Sequence, residues 1–297
     1  MAEISASLVK ELREMTGLGM MECKRALAET GGDIKKAEEL MRIKSGAKAN
    51  KAASRQAAEG TIGVYVSADA RVGALVEFNC ETDFAARNVD LLAMAAALAK
   101  NVGVDNPVDV AALMNTHIDG EVAESRRAAL VQKIGENMNV RRFVRVGGSS
   151  SKVASYVHGG GRIGVLVEYV GDGDLARDVA MHLAASVAST RAVCVSKDQV
   201  PAELIERERS IFAAQAAELG KAAEHIPKMV EGRVNKFLAE VTLYGQPFVK
   251  DDKQTVEQVL KAANTSVTSF QLYLVGEGIE KKAVDYAAEV AAAVKGL

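Results

Sequence analysis

The sequence predicts an α+β chain of several small units, and three observations carry that prediction. At 297 residues the chain exceeds what one hydrophobic core usually serves. A pattern of apolar strand, small-residue turn, apolar strand and alanine-rich helix occurs twice, 91 residues apart. Amphipathic helical stretches stopped by glycine precede the first copy, and two longer ones interrupt the region after the second.

In chain order, residues 4–42 read as three short helices. "SASLVKELREMTG" places Leu8, Leu12 and Met15 on one face and stops at Gly17. "GMMECKRALAETGGD" repeats the period with Met20, Cys23 and Leu27 and stops at Gly31-Gly32. Asp33 is a good N-cap for "IKKAEELMR". The next stretch, "RIKSGAKANKAASRQAA", carries five basic residues from Arg42 to Arg55 and no acidic one. Charge runs usually face solvent, so it reads as a solvated linker or helix, with an RNA or phosphate patch as the functional alternative.

The repeat settles the middle of the chain. "YVSADARVGALVEFNCETDFA" (65–85) aligns with "YVHGGGRIGVLVEYVGDGDLA" (156–176), with Tyr, Val, Arg, Gly, Leu, Val, Glu, Asp and Ala recurring in place. Each copy is a hairpin that runs into an alanine-rich helix, "RNVDLLAMAAALAK" or "RDVAMHLAASVAS". A hairpin under a helix buries one face of each, which makes an α+β unit. Between the copies, "EVAESRRAALVQKIGENMNVRRFVRV" reads as helix then strand.

After Pro201 two stripes appear: Ile205, Phe212, Ala216 and Leu219, then Ile226, Val230, Val234, Phe237 and Val241. Two amphipathic helices joined by a short turn make an antiparallel coiled-coil hairpin, an insertion into the second unit. "SVTSFQLYLV" returns as a strand able to complete the second sheet, and "KKAVDYAAEVAAAVKG" reads as a last short helix. The expected organisation is a helical module with its basic linker over 1–54 and a first core subdomain over 55–145. A second core subdomain follows over 146–280, with the hairpin at 201–240, and a terminal helix over 281–297.

Composition bounds the function. The net charge is −2, from 37 Lys plus Arg against 39 Asp plus Glu, which argues against a general nucleic-acid binder. No apolar run approaches the roughly 18 residues of a membrane span, and the start carries no apolar signal core. Cys23, Cys80 and Cys194 are far apart and odd in number, which suits a reducing cytoplasm and neither a disulfide framework nor a zinc site.

Enzyme signatures are nearly absent. "GGGRIG" (159–164) matches the dinucleotide pattern literally, but it sits between two strands rather than between strand and helix. His117, His158, His182 and His225 show no metal spacing. His182, on an apolar helix, reads as a core or near-core residue; His158 ends a strand at a glycine turn, where a partner can reach it. No cofactor and no metal are expected.

One stretch resists a purely structural account. In "NCETDFAARN" (79–88) a strand gives way to a helix, and Thr82 or Asp83 caps it. Neither explains Phe84, because a hydrophobic staple sets its apolar residue before the cap, not after it. The counterpart is Asp174-Leu175, so core packing and an exposed apolar probe both remain open.

These blocks together carry a family. "LVKELREMTGLGMMECKRALAETGGDIKKAEELMR", "NCETDFAARN", "KIGENMNVRR", "HGGGRIGVLVEY", "MVEGRVNKFLAEVTLYGQPFV" and "VGEGIEKK" resemble, in order, bacterial translation elongation factor Ts. The first 45 residues also resemble a ubiquitin-associated-type three-helix module. The resemblance implies a non-enzymatic guanine-nucleotide exchange factor for elongation factor Tu, working in the cytoplasm. It implies that Asp83 and Phe84 push into the GTPase domain of the GDP-bound partner, so that Mg²⁺ loses its place. It implies that Lys24, with Met20 and Met21 beside it, faces the same domain, Met21 being readable also as core. Gly135 and His158 match positions tied to exchange, the latter toward a β-barrel domain of the partner. This chain has alanines where many relatives carry "DFVA" and glycines where many read "HGAR", and the extra glycines loosen the turn that holds His158. Two rival readings are a hydrolase built on Cys80 or Asp83, and an adaptor or RNA-binding module built on residues 4–42 and the basic run.

Overall fold

The computed structural model describes residues 4–148, 150–219 and 225–280. The helix expected over 281–297 lies outside the described residues. The architecture mixes helices with small antiparallel sheets, consistent with the α+β class.

Three helices open the chain: α1 (Ala6–Thr16), α2 (Met20–Glu29) and α3 (Ile34–Ala52). Ser5 caps α1 by accepting the Leu8 N–H, and Asp33 caps α3 by accepting the Lys36 N–H. Val9, Leu12, Leu18, Cys23, Leu27 and Met41 form their core. The expected stripe is corrected at Met15 and Met20, which are exposed; Val9 and Leu18 fill the interior instead.

The third helix is also longer than its sequence period indicated, because the basic run is helical. Its Ser45, Ala49 and Ala52 are buried, on a helix that packs against a later one, α7 (Ala123–Ile134). Lys44 pairs with Glu29, Lys48 with Glu22, Arg42 with Glu121 and Arg55 with Glu81. The stretch is neither a free linker nor a bare cationic patch: small residues lie against protein and four of its five cations face acids.

The first sheet comprises β1 (Glu59–Val66), β2 (Val72–Cys80) and, later, β5 (Asn139–Gly147), in the order β1-β2-β5 and antiparallel throughout. A four-residue helix, α4 (Asp83–Ala86), and then α5 (Val89–Asp105) follow β2. α5 covers one face of the sheet, burying Leu91, Leu98 and Val102 against Val76 and Phe78. The chain then forms α6 (Val110–Met114), a tiny hairpin of β3 (His117–Ile118) and β4 (Glu121–Val122), and α7 (Ala123–Ile134).

The second half repeats the plan. β6 (Lys152–His158) and β7 (Ile163–Val170) lead into α8 (Gly173–Ser186). Next come the hairpin helices α9 (Ala202–Glu218) and α10 (Ile226–Val241), then β8 (Pro247–Phe248), β9 (Asp251–Thr255), α11 (Val256–Ala262) and β10 (Ser266–Leu274). β10 joins β7, giving the order β10-β7-β6. Each sheet therefore adds its third strand beside the second strand of its hairpin. Even the irregularity is duplicated. The ladder slips at Glu77/Phe78 in the first sheet and opposite Glu168/Tyr169, the equivalent pair, in the second.

The sheets pack on each other through Ile62, Leu75, Val153, Leu166 and Val275. The contact is reciprocal, as at a two-fold interface. Gly73 lies against Val153 and Leu166, and its counterpart Gly164 lies against Ile62 and Leu75. Ile62 N–H donates to Gly161 O at 2.8 Å, and its counterpart Val153 N–H donates to Ala70 O at 2.6 Å. A side chain at either glycine would overlap the facing sheet, which explains a glycine inside an apolar strand.

One buried carboxylate ties the two halves at the sheet ends. Glu77, fully buried on β2, accepts from Arg142 Nε at 2.6 Å, Arg141 Nη1 at 3.1 Å and the Gly276 N–H at 2.8 Å. Arg141 also donates to Glu277 O at 2.6 Å, and Arg142 lies 4.2 Å from the ring centre of Tyr273 on β10. Arg191 bonds Glu277 and, with Arg142, holds its carboxyl below the usual range.

The hairpin carries its own seam of Ala216, Val230 and Val234, which belong to neither sheet core. Leu219, expected on that seam, is exposed. At its base Leu243 N–H donates to Cys194 O at 2.9 Å and Tyr244 N–H to Val195 O at 3.0 Å. His182 is buried on α8, as its apolar helix indicated, and sits 2.9 Å through Nε2 from Gln246 Oε1. Its Nδ1 accepts from the Val249 N–H at 3.2 Å, so Nε2 carries the proton and the ring is neutral.

Two outcomes follow from these networks. Glu77→Ala strands two guanidinium groups between the halves and is expected to cost about 3 kcal/mol; Glu168→Ala, which loses a Ser269 bond, is expected to cost about 1 kcal/mol or less. Urea denaturation of the two variants measures the difference. Burial lowers the pKa of His182, with the Gln246 bond opposing it, so the unfolded chain takes up this proton before the folded one. Stability from this group is thus present above the ordinary histidine pKa and is lost as pH falls from there toward the depressed one. Melting curves at pH 7 and pH 5 are expected to show a larger loss for the wild type than for His182→Gln.

Candidate functional site

The strand-to-helix corner after β2 is built by local chemistry. Thr82 is the cap: its Oγ1 accepts the Ala85 N–H at 3.2 Å. Asp83 is the first helical residue and pairs with Arg87 at 3.1 Å, one turn on. The helix expected to run on from Asp83 is broken, because Asn88 starts a fresh one by accepting the Asp90 N–H at 2.9 Å. The result is a separate single turn, α4, anchored by buried Ala85 and Ala86.

Phe84 stands on that turn and is 83% exposed. The equivalent Leu175 packs against the core of the second half. The two copies therefore differ: one half-buries the position against its core and one presents it outside. Val89 and Leu92, at the start of α5, are exposed as well.

The turn is held from outside its own segment by residues that sequence reading passed over. Glu136 Oε2 accepts the N–H groups of Glu81 at 3.1 Å and Thr82 at 3.0 Å, and Oε1 takes the Thr82 hydroxyl at 2.6 Å. In return the Glu81 carboxylate accepts the Asn137 N–H. Arg55 lies 3.2 Å from Glu81 and donates to Gly135 O at 3.0 Å. Asn137 Nδ2 donates to Arg55 O at 2.7 Å. The signal was available only as "GEN" after a helix; nothing in its spacing says that it meets a loop 55 residues earlier.

Gly135 ends α7 with φ +89°, a conformation that costs other residues energy, and its own surroundings are open. The chain turns there so that Glu136 and Asn137 meet the Phe84 corner. Met20 and Met21, on the first turn of α2, are 58% and 65% exposed, so Met21 is not core; Lys24 is exposed one turn on. The α1–α2 corner reaches this region too: Gly17 lies against the Lys133 side chain, and Lys133 pairs with Asp90 at 2.8 Å.

His158 ends β6 and is exposed, its ring stacked on Tyr156 at 6.1 Å. Its turn is fastened to the start of β1 by the Ile62–Gly161 bond and by the Arg162–Glu59 pair, and Glu59 lies across from Cys80. Among the described residues no hydrogen bond joins His158 to the Phe84 corner. The structure thus brings Asp83, Phe84 and Gly135 together, sets the α1–α2 corner beside them, and leaves His158 on the other sheet.

The thiol of Cys80 donates to Thr82 O at 3.1 Å, and burial together with the nearby Glu136 charge pushes its pKa up to about 12. A thiol that stays protonated is a poor nucleophile. Among the described residues no cluster of His, Cys, Asp or Glu is arranged to hold a metal, and no helix is long and apolar enough to cross a membrane.

Residues 81–277 match the family model described as Elongation factor TS. The chain is 57% identical over 295 residues to Elongation factor Ts of Chromobacterium violaceum, covering 99% of this chain and 100% of that protein. It is 58% identical over 294 residues to Elongation factor Ts of Cupriavidus taiwanensis, covering 99% and 98%. It is 56% identical over 298 residues to that of Nitrosospira multiformis, covering 99% and 97%. The matched span includes the Phe84 corner, the "GEN" segment, β5 and the whole second sheet, and with relatives this similar over nearly their whole length the chain belongs to the elongation factor Ts family.

Proposed function

We propose that the protein acts in translation elongation as a guanine-nucleotide exchange factor for elongation factor Tu, and that Phe84 is its working group. The observation that carries this reading is an aromatic side chain 83% exposed on a turn that Thr82 caps and Glu136 fastens. Exposed aromatic groups on rigid supports are what binding surfaces use, since little order is lost on contact. Family membership supplies the partner class.

In this reading Phe84 enters the GDP-bound GTPase domain beside its switch region, while Asp83, held by Arg87, lies at the rim. The partner's Mg²⁺ needs near-octahedral ligands at about 2.0–2.1 Å, so a small displacement of its surroundings forfeits the site. Magnesium bridges the nucleotide phosphates in such GTPases, so its loss weakens GDP binding and lets GTP enter. Met20, Met21 and Lys24 dock the helical module on the same domain; thioether side chains suit an adaptable face. His158 meets a second, β-barrel domain of the partner. The protein itself breaks no bond. We take the helical module as 1–54, of ubiquitin-associated type, the two core subdomains as 55–145 and 146–280, and the terminal helical module as 281–297, acting together in the cytoplasm.

Neither rival fares well. A hydrolase built on Cys80 lacks a reactive thiol, given the raised pKa. An RNA-binding reading of the basic run loses four of its five cations to internal ion pairs.

The direct test is release of labelled GDP from elongation factor Tu with and without this protein. A factor that speeds release by weakening GDP binding must have its own affinity weakened by GDP by the same factor. Calorimetric titration is therefore expected to give tighter binding to nucleotide-free than to GDP-bound partner, with added Mg²⁺ widening the gap; equal affinities would exclude the mechanism. Phe84→Ala is expected to slow maximal exchange by about tenfold or more while stability changes by about 0.5 kcal/mol or less, because the side chain is exposed. Leu175→Ala is expected to reverse the pattern, costing about 2 kcal/mol in a thermal melt with exchange altered by only about twofold.

A further inference from the structure

We infer that Glu136 is a positioning residue for Phe84: its carboxylate locks the turn that carries the exposed ring, and Gly135 acts through it. The inference rests on the exchange reading above and names a group that does not itself touch the partner.

A single helical turn is unstable alone, because nucleation fixes several residues for one hydrogen bond. α4 has four residues and one side-chain cap, Thr82. An exposed ring on such a turn would wander, and ordering it on contact would consume binding energy. Glu136 removes that freedom. Its two oxygens take two backbone N–H groups and one hydroxyl, all from Glu81 and Thr82. Hydrogen bonds to an ionised acceptor are about twice as strong as neutral ones. The Thr82 hydroxyl donates a hydrogen bond to Glu136 and accepts one from Ala85 N–H, so one chain of bonds runs from the carboxylate into α4, one residue past Phe84.

The comparison between the repeats separates this latch from ordinary structure. In the second copy the corner caps itself: Asp172 Oδ1 accepts from Asp174 and Leu175 N–H at 2.8 and 3.1 Å. The Asp172 N–H goes to the Thr265 hydroxyl, not to a carboxylate. There Leu175 is half-buried against the core, and the outside hold is a neutral hydroxyl. The long-range carboxylate occurs where the ring is exposed.

The position of Gly135 now has a reason. Nothing lies near enough to its Cα to be touched by a small side chain, but its positive φ turns the chain so that Glu136 faces Thr82. Arg55, at the end of α3, bonds Gly135 O and Glu81 and so ties the helical module to the same corner.

The test uses the full chain and labelled GDP bound to the GTPase. Glu136→Ala is expected to lower the maximal release rate at saturating factor by about tenfold while the half-saturating concentration moves by about threefold or less. Glu136→Gln keeps an acceptor but no charge and is expected to lower the maximal rate by about threefold. The double variant Glu136→Ala/Phe84→Ala is expected to be no slower than Phe84→Ala alone, because groups acting as a unit are not additive. Amide hydrogen exchange at Thr82 and Ala85 is expected to speed up by about tenfold in Glu136→Ala. A folded Glu136→Ala protein with the wild-type maximal rate, or a double variant slowed by the product of the single effects, overturns the inference. Should Glu136→Ala fail to fold, Glu136→Gln decides, and an unchanged maximal rate overturns it. If Phe84→Ala itself leaves release unchanged, the exchange reading fails instead, and the amide data still report whether the latch holds the turn.

Discussion

The arrangement of the whole molecule depends on where the Glu77 carboxylate finds its charge partners. Glu77 lies in the middle of three strands with no access to water, a position that costs several kcal/mol unless every oxygen is satisfied. Arg141 and Arg142 come from the adjacent strand, and the bulge beside them lets two consecutive residues point at one acid. The Gly276 N–H comes from just beyond the last strand of the other sheet. The cluster therefore forms only when both halves are docked. It adds a charged tie to the apolar seats and the two backbone hydrogen bonds that already join the sheets.

The duplication explains why such a clamp is needed and why only one copy has it. Two related hairpins pack about a local two-fold, with Ile62 facing Gly164 and Val153 facing Gly73. Such an interface is self-complementary by construction. The copies nevertheless differ at equivalent places. Glu77 joins the halves, whereas Glu168 bonds Ser269 within its own sheet. Phe84 points outward from a latched turn, whereas Leu175 is half-buried against the second core. The second copy instead accepts the helical hairpin, rooted through Leu243, Tyr244 and the His182–Gln246 bond.

Rigidity and exposure coincide at the Phe84 corner. β2 carries Glu77 in its interior and ends at Cys80, so the strand that joins the halves also delivers the corner. Glu136 and Arg55 then fasten the corner to α7 and to the end of α3. An apolar ring held in water costs little where it stands, but it keeps its orientation because its backbone cannot relax. In the exchange reading this is what a wedge needs: the side chain that meets the partner is free, and everything beneath it is fixed.

Much of this was legible in the sequence, for reasons that are local. The glycine stops and the Asp33 cap located the first helices. The 91-residue repeat located both hairpins, and the apolar surroundings of His182 gave its burial. Asp83 and Phe84 stood out by their place where a strand gives way to a helix, and Gly135 through family resemblance. What the sequence left open was settled by contacts between distant segments. Whether Phe84 was core or surface depended on a helix break at Asn88 and on a packing face that no period reveals. The basic run was left between a solvated linker and a helix because its buried Ser45, Ala49 and Ala52 are too small to show a stripe. Glu136, Glu81 and Arg55 were silent because a carboxylate paired with backbone N–H groups 55 residues away leaves no spacing to read. Periodicity and capping act over a few residues, and so sequence determined the elements; burial and charge pairing act through space, and so only the folded chain decided which of them face each other.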